Sequence, residues 1–291
     1  MVVSDYNNYI VNLIDNVIID KNLELNIYLD LDNQKIIFPV NINYKNLFIG
    51  MNYEHTLVKQ NAPNEYNNPI GVIYFNMNDK YTVRIHNYDR IKLNDIVIDY
   101  SLPNIYNVKS SNQFLEFESK HIYIAPCIYE DIYTSIYNRN INTLTTFINI
   151  EVPRRKSLLD IFNKAKTDHV NISNCFDKKN LQDIYINTKI LINIHQTDYH
   201  DTFEELRCLP ALFNGVIVIS ETSPLHKLVP YNELIIWCEY DNIFEKTKEV
   251  LNNYEKYYSS IFTANNINIL INLHINNIKN IEEKLLINHR Q

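Results

Sequence analysis

The sequence predicts an α/β protein with two Rossmann-like halves facing a cleft, the N-terminal half being strand-rich and reduced. Three observations support this fold class. The 291 residues suffice for two domains of ordinary size, and their 46% hydrophobic content is enough to build sizeable cores. The second half alternates short apolar strands with helices of roughly ten residues, which is typical of βαβ units and a parallel sheet. The first half consists mainly of short apolar runs between turn-like stretches.

The first half is interpreted as a helix followed by strands. Residues 1–20 predict an amphipathic surface helix, and residues 23–31 and 35–42 flank an Asp-Asn turn and predict a hairpin. Further strands are predicted at 46–49, 71–75, 81–85, 95–99 and 121–124, and a helix is predicted to begin within 103–110.

In the second half, strands are predicted at 143–150, 170–172, 189–195, 216–220 and 233–237. Helices are predicted at 156–165, 181–187, 202–214 and 242–254, with a long helical tail over 265–289. The change of character within 125–140 predicts two domains, residues 1–125 and 126–291.

Composition and missing motifs exclude several classes of protein. The 27 Lys and Arg against 34 Asp and Glu give a net charge of −7 without a basic stripe, so we expect no nucleic-acid partner. No apolar run has the length of a signal peptide or a transmembrane segment, and we expect a soluble, cytoplasmic protein. The sequence lacks G-x-G-x-x-G, P-loop and G-x-S-x-G motifs, which argues against dehydrogenases, NTPases and serine hydrolases.

The segment 191–221 is the densest in polar residues placed beside buried strands. A strand ends at His195, and a helix is predicted to begin near Thr202, where Thr202 and Glu205 have the spacing of a capping box. Helix N-termini present unpaired N–H groups that suit a diphosphate. The next strand ends at Ser220 and Glu221, and ligands of open α/β sheets bind beyond such carboxyl ends.

This stretch, I-H-x-x-x-x-x-D-T-F-E-E-x-R followed by G-V-I-V-I-S-E, resembles group-1-like glycosyltransferases of the GT-B fold. It is also similar to glycosyltransferases encoded by large DNA viruses, which would place the protein in the host cytoplasm. The resemblance implies transfer of a sugar from a nucleotide-diphosphate-sugar, used as co-substrate without metal or other cofactor, to a glycan or protein hydroxyl. Residues 1–125 would then form the acceptor side and 126–291 the nucleotide-sugar-binding side.

In that family a glutamate at this helix start contacts the donor sugar, and a second glutamate seven residues later holds the ribose. Here the second position holds Ala211 or Leu212. This departure leaves open a second function, that of a non-catalytic nucleotide- or glycan-binding protein with a degenerate site. A third is a structural partner of another glycosylation enzyme.

The predicted catalytic residues are Glu204, which would orient the donor, and His55, which would act as base on the acceptor hydroxyl. The predicted donor-binding residues, which include cations to stabilise the departing diphosphate, are Arg154, Arg155, Lys156, His195, Thr202, Glu205, Arg207, Ser220 and Glu221. The predicted acceptor-side residues, which follow or end N-terminal strands, are Glu54, Arg84, Tyr100 and Asn104.

Each assignment has a structural alternative. Arg154, Arg155 and Lys156 are equally well explained as a solvated basic helix start, and His195 as a core histidine bonded to a carbonyl. Glu204, Glu205 and Arg207 would then be an exposed ion-pair network on a surface helix. A metal site formed by His195, Asp198, His200 and Asp201 is disfavoured, because its spacing matches no known ligand pattern.

Overall fold

The computed structural model describes residues 3–31, 34–38, 40–52, 56–62, 72–113, 115–174 and 177–290. Contacts divide the chain into two compact units. The N-terminal unit comprises Asn7–Ala125, Tyr199–Thr202 and Leu273–Gln291, and the C-terminal unit comprises Met1–Tyr6, Pro126–Asp198 and Phe203–Asn272. Both units are therefore assembled from separate segments of the chain.

The N-terminal unit contains a five-stranded sheet of order β2-β1-β3-β7-β8, which is parallel except for the β1–β2 pair, and a three-stranded antiparallel sheet of order β4-β6-β5. The strands are β1 (Leu25–Leu31), β2 (Gln34–Ile37), β3 (Lys45–Asn52), β4 (Thr56–Lys59), β5 (Val72–Asn76), β6 (Tyr81–His86), β7 (Ile96–Asp99) and β8 (His121–Tyr123). The helices of this part of the chain are α1 (Val3–Lys21), α2 (Tyr88–Ile91) and α3 (Leu102–Ser110).

The C-terminal unit contains a five-stranded, wholly parallel sheet of order β10-β9-β11-β12-β13. Its strands are β9 (Ile141–Thr145), β10 (His169–Asn171), β11 (Thr188–Asn193), β12 (Ile217–Glu221) and β13 (Ile235–Cys238). The helices are α4 (Pro153–Lys164), α5 (Lys178–Ile186), α6 (Glu205–Phe213), α7 (Ile243–Asn252), α8 (Tyr254–Ile261) and α9 (Ala264–Arg290). The predicted α/β fold class with parallel sheets is confirmed.

The middle of each unit is apolar for a reason visible in the sequence. Residues 190–192 of β11 and 217–219 of β12 are all fully buried, because helices cover both faces of a parallel sheet. In the N-terminal unit, Leu57, Val83 and Val97 pack in one cluster that joins the small sheet to the parallel one. Within the described ranges, every helix falls short of the length and apolar character needed to span a bilayer.

The last helix is held to the N-terminal unit by a side-chain amide. Asn277, on α9, accepts a hydrogen bond from the Ala125 N–H and donates one to the Ala125 carbonyl, both at 2.8 Å. Asn280 on the same helix donates to the Tyr123 carbonyl at 3.0 Å. Residues of α9 from Leu273 onwards therefore complete a unit whose strands lie far earlier in the chain.

Among the differences from the predicted elements, two boundaries and one additional strand bear on the site. The strand predicted to reach residue 150 ends at Thr145, because the Asn171 side chain bonds both the N–H and the carbonyl of Phe147. Helix α6 begins at Glu205 instead of Thr202. Strand β4 was not predicted at all.

Candidate functional site

The candidate site lies at the carboxyl edge of the parallel sheet in the C-terminal unit. Strands β11 and β12 run parallel in a register that places Asn193 beside Ser220, so the residues that follow both strands emerge at the same edge. The Nδ2 of Asn193 donates to the Ser220 hydroxyl at 3.0 Å. Polar residues at or next to the ends of two buried strands are thus bonded to each other, at the edge where ligands of such sheets bind.

Arg154, in the first turn of α4, is the most densely contacted cation at this edge. Its Nη2 donates to Glu221 Oε1 at 2.6 Å, its Nη1 donates to the Thr197 carbonyl at 3.1 Å, and its Nε lies 2.9 Å from Oδ1 of Asp198. The guanidinium also lies 4.2 Å from the ring centroid of Tyr240, whose hydroxyl donates to the Arg154 carbonyl. Two carboxylates therefore share one arginine.

Glu221 ends β12 and joins Arg154 to the end of β11. Its Oε2 accepts a hydrogen bond from the His195 N–H at 2.9 Å. The His195 Nε2 lies 3.2 Å from the Thr222 carbonyl, and because a carbonyl only accepts, this nitrogen carries the proton in that bond. His195 is 6% exposed, so its backbone and ring both serve to hold the β12 end in place.

Arg155 follows Arg154 but faces different surroundings. It is 8% exposed, and its guanidinium lies 5.0 Å from the Phe147 ring centroid, with a long contact to the Asn149 carbonyl. The pKa of Arg155 is lowered to about 10, first because burial removes water from the cation and then because the Arg207 cation is near. The Glu204 carboxylate acts in the opposite direction.

Arg207 projects from α6 towards the same edge. Its Nη1 donates to Oδ1 of Asn193 at 2.6 Å, which ties the second arginine to the end of β11. Among the described residues, neither Arg155 nor Arg207 has a carboxylate in ion-pair contact. Two neighbouring cations, one of them nine-tenths buried, without such a partner form a site that favours a bound anion.

The structure thus brings together seven of the predicted donor-side residues, namely Arg154, Arg155, His195, Glu204, Arg207, Ser220 and Glu221. It adds two that the sequence analysis did not single out, Asn193 and Tyr240. Both directly end or follow a strand of the parallel sheet, and that position was the available signal.

Three other predicted donor-side residues lie elsewhere. The Lys156 ammonium is exposed and pairs with Glu151 at 2.8 Å, as the alternative of a solvated helix start predicts. Glu205 is fully buried, and its Oε2 accepts a hydrogen bond from the Tyr231 hydroxyl at 3.0 Å. The capping box of Thr202 and Glu205 is wrong, because the Thr202 hydroxyl accepts from the Leu57 N–H and the N-cap of α6 is Glu204.

Of the predicted acceptor-side residues, Arg84, Tyr100 and Asn104 belong to the N-terminal unit. Arg84 lies inside β6 and not after its end, which corrects its predicted place at a strand exit. Tyr100 and Asn104 follow β7 and are buried, and Asn104 contacts the Asp99 carboxylate at 3.4 Å. Glu54 and His55 lie outside the described residues.

The alternative metal site does not assemble. His195 and Asp198 belong to the C-terminal unit, whereas His200 and Asp201 pair with β4 in the N-terminal unit. Across the part of the chain that the structure describes, no three His, Cys, Asp or Glu side chains come together as metal ligands.

The chain is similar in sequence to viral proteins. It is 36% identical over 171 residues to an uncharacterised protein of Acanthamoeba polyphaga mimivirus, an alignment that covers 57% of this chain and 56% of the relative. No family model matches the sequence. The predicted similarity to proteins of a large DNA virus is confirmed.

Two solved structures are similar to the chain over most of its length. One is the pneumococcal O-GlcNAc transferase GtfA in complex with UDP and GlcNAc, at 14% identity and a TM-score of 0.48, covering 84% of this chain and 52% of GtfA. The other is TarM, at 10% identity and a TM-score of 0.41, covering 84% and 50%. The chain spans about half the length of the viral relative and of both structures.

Proposed function

We propose that the chain is a glycosyltransferase that binds a nucleotide-diphosphate-sugar at the carboxyl edge of the C-terminal sheet and transfers the sugar to a hydroxyl of a glycan or protein. The observation that carries the proposal is the pair of Arg155 and Arg207, two neighbouring cations without a carboxylate in ion-pair contact among the described residues. A diphosphate supplies the missing negative charge with oxygens that match the guanidinium fork.

The same arrangement suits the chemistry of transfer. When the bond between the sugar and the diphosphate breaks, negative charge grows on the departing diphosphate. Arg155 is held by burial and by the Phe147 ring, and Arg207 by Asn193, so neither cation has to reorganise as that charge develops. These fixed cations supply charge stabilisation at the diphosphate, and we propose that no metal ion is needed there.

Glu204 is the carboxylate proposed to orient the transferred sugar. It is the N-cap residue of α6, is only partly buried, and lies close enough to Arg155 to influence its pKa. Glu205, by contrast, is fully buried against Tyr231. The two adjacent glutamates therefore differ in role, with Glu204 at the site and Glu205 inside the fold.

The proposal is tested by binding followed by turnover. We expect UDP, GDP or TDP, or one of their sugars, to raise the melting temperature without added divalent metal. At a hundred times its dissociation constant a ligand stabilises the fold by about 2.7 kcal/mol. With the sugar that binds, release of nucleotide should be abolished in Glu204→Gln and kept in the control Glu245→Gln, which alters an exposed glutamate on α7. No shift with any nucleotide would refute the proposal.

One observation favours a second candidate function, binding without transfer. Ala211 and Leu212, which stand where the related enzymes carry a second glutamate, are both fully buried in the core. No carboxylate of α6 is therefore available at that position to hold a ribose. A nucleotide-sugar that binds tightly but is neither hydrolysed nor transferred to any acceptor in a broad screen would support this candidate over the enzyme.

A further inference from the structure

The imidazole of His195, at the carboxyl edge of the C-terminal sheet, has one nitrogen with a fixed role and one without a partner. Its Nε2 lies 3.2 Å from the Thr222 carbonyl and 4.0 Å from Oε2 of Glu221, and both of these oxygens accept. The ring proton therefore lies on Nε2, and Nδ1 of the neutral ring can only accept a hydrogen bond. Nδ1 is buried and has no hydrogen-bond partner within the described ranges.

The hydroxyl of Ser223 is a second buried polar group without a partner. Ser223 follows Thr222, the residue whose carbonyl contacts the His195 ring. Its backbone is held in place, because its carbonyl accepts from the His226 N–H at 3.2 Å and lies 2.8 Å from the His226 Nδ1. The residue is 3% exposed, yet its hydroxyl has no hydrogen bond to any residue that the structure describes. The two unpartnered groups therefore lie on two segments that are joined by the hydrogen bond between His195 and Thr222.

His195 borders the part of the candidate site that Arg154 and Glu221 form. Its N–H donates to the same carboxylate that the Arg154 guanidinium contacts. Buried polar atoms without a hydrogen bond destabilise a fold, so each one in a protein calls for a ligand, an ion or a water that completes it. A diphosphate does not complete Nδ1, because its ionised oxygens only accept. The His195 ring therefore requires a ligand group with a proton to donate, and a hydroxyl is such a group.

We infer that Nδ1 of His195 and the hydroxyl of Ser223 recognise a hydroxyl group of the bound nucleotide-sugar, which donates to Nδ1. The inference rests on the proposed function and assigns the part of the ligand that lies over the ends of β11 and β12. The ribose and the transferred sugar both carry hydroxyls, whereas the diphosphate between them carries none. Ser223 has both a proton and lone pairs, so it can donate to the ligand or accept from it. His195 and Ser223 thereby select a ligand with hydroxyls, while Arg155 and Arg207 bind its negative charge.

The test removes each group separately and measures by calorimetry the affinity for ligands with and without hydroxyls. His195→Gln keeps an amide N–H that can reach the Thr222 carbonyl and lacks an acceptor in place of Nδ1, and Ser223→Ala removes only the hydroxyl. The control, Ser260→Ala, removes an exposed hydroxyl on α8 that bonds its own helix. The ligands are the best-binding nucleoside diphosphate among UDP, GDP and TDP, its sugar, its 2′,3′-dideoxy form and pyrophosphate.

We expect the affinity for the nucleotide-sugar to fall at least about tenfold in His195→Gln and at least about threefold in Ser223→Ala, because each loses a hydrogen bond to the ligand. The affinity for pyrophosphate should change less than about twofold in both variants, and Ser260→Ala should keep all affinities. A loss that is seen with the nucleoside diphosphate but not with its dideoxy form assigns the hydroxyl to the ribose. A loss that is seen only with the nucleotide-sugar assigns the hydroxyl to the transferred sugar.

Equal affinities for the nucleotide-sugar in the unaltered protein and both variants would overturn the inference and leave the proposed function intact. An equal loss with pyrophosphate would overturn it as well, because the two residues would then act without a ligand hydroxyl. If no nucleotide binds the unaltered protein, the proposed function fails and the inference fails with it. The melting temperature of Ser223→Ala without ligand should not fall, because its hydroxyl has no bond to lose, so this variant tests the inference even where His195→Gln does not fold.

Discussion

The two ends of the parallel sheet in the C-terminal unit each bury an arginine, and the two arginines are treated differently. At the amino ends of the strands, Arg139 is 5% exposed and donates to four carbonyls, those of Ser135, Tyr185, Thr188 and Asn214. At the carboxyl ends, Arg155 is 8% exposed and makes one long contact to a carbonyl. The two arginines are therefore buried to nearly the same degree, but Arg139 has four carbonyl acceptors and Arg155 has one.

The difference separates a structural cation from a binding cation. The Arg139 guanidinium ties together the starts of β9, β11 and β12, and the backbone closes around it at Gly215, where an added Cβ would lie 2.6 Å from the Arg139 Nη2. Gly215 also has a φ of +66°, a backbone conformation that residues with a side chain rarely adopt. Arg155 lacks such a set of carbonyl acceptors, so the cost of removing its cation from water is not fully offset by hydrogen bonds. This is expected at a site where a bound ligand supplies the missing acceptors.

The largest expected effect comes from removing the structural arginine. Arg139→Leu leaves four carbonyls without their donors, three of them in buried hydrogen bonds, and each buried unsatisfied group costs about 1–3 kcal/mol. We expect the free energy of unfolding to fall by at least about 3 kcal/mol in urea titrations. The stability of Arg139→Lys, which keeps the charge but has fewer donors, should lie between that of the unaltered protein and that of Arg139→Leu. A loss of stability below about 1 kcal/mol in Arg139→Leu would show that Arg139 is not a structural cation.

The matched substitution of Arg155, at the carboxyl ends of the strands, should weaken ligand binding and should not lower the stability of the fold. Arg155→Met keeps an unbranched apolar stem against Phe147 and removes a desolvated cation that lacks an ion pair. We expect the free energy of unfolding to stay the same or rise by up to about 1 kcal/mol, because removing such a charge is often neutral or stabilising. The affinity for the best-binding nucleoside diphosphate should fall at least about tenfold. Equal affinity in the two proteins would show that Arg155 is structural too.

The smallest effect concerns a histidine at the start of β10. His169 has its Nε2 3.0 Å from the Thr145 hydroxyl and its ring stacked on Phe162, and burial lowers its pKa from 6.5 to about 4. It is therefore neutral at pH 7.

Between pH 6.5 and about 4 the unfolded chain takes up a proton at His169 that the folded chain does not. Stability due to neutral His169 is thus complete above pH 6.5 and is lost as the pH falls towards 4. His169→Phe, which keeps the stack, should flatten the dependence of the urea midpoint on pH in this window. An identical slope in both proteins would contradict the assignment.

The parallel strands were predictable because their pattern comes from burial on both faces. The predicted strands contain the wholly apolar runs 190–192 and 217–219, and the structure places them in β11 and β12, two of the three inner strands of the sheet. The start of α6 was not predictable from local chemistry. Thr202 has the right spacing for a cap, but its hydroxyl is taken by Leu57, a contact between residues 145 apart in the chain.

The site was predictable to the extent that its residues directly follow buried strands. His195 and Glu221 meet because the register of β11 with β12 brings the two strand ends side by side. Which partners each cation contacts was not predictable. Arg154, Arg155 and Lys156 are consecutive, yet their partners are two carboxylates, a ring with one distant carbonyl, and one exposed glutamate. Helix geometry points consecutive side chains in different directions, and only the packed neighbours decide what each one meets.

The hydrogen bonds between Asn277 and Ala125 affect the order in which the protein folds during its synthesis. Residues 7–125 are translated before the C-terminal sheet, but the helix residues that bond Ala125 and Tyr123 are translated after it. The N-terminal unit is therefore completed only when the last part of α9 is made. We expect nascent chains stopped before residue 273 to remain open to proteases within residues 7–125.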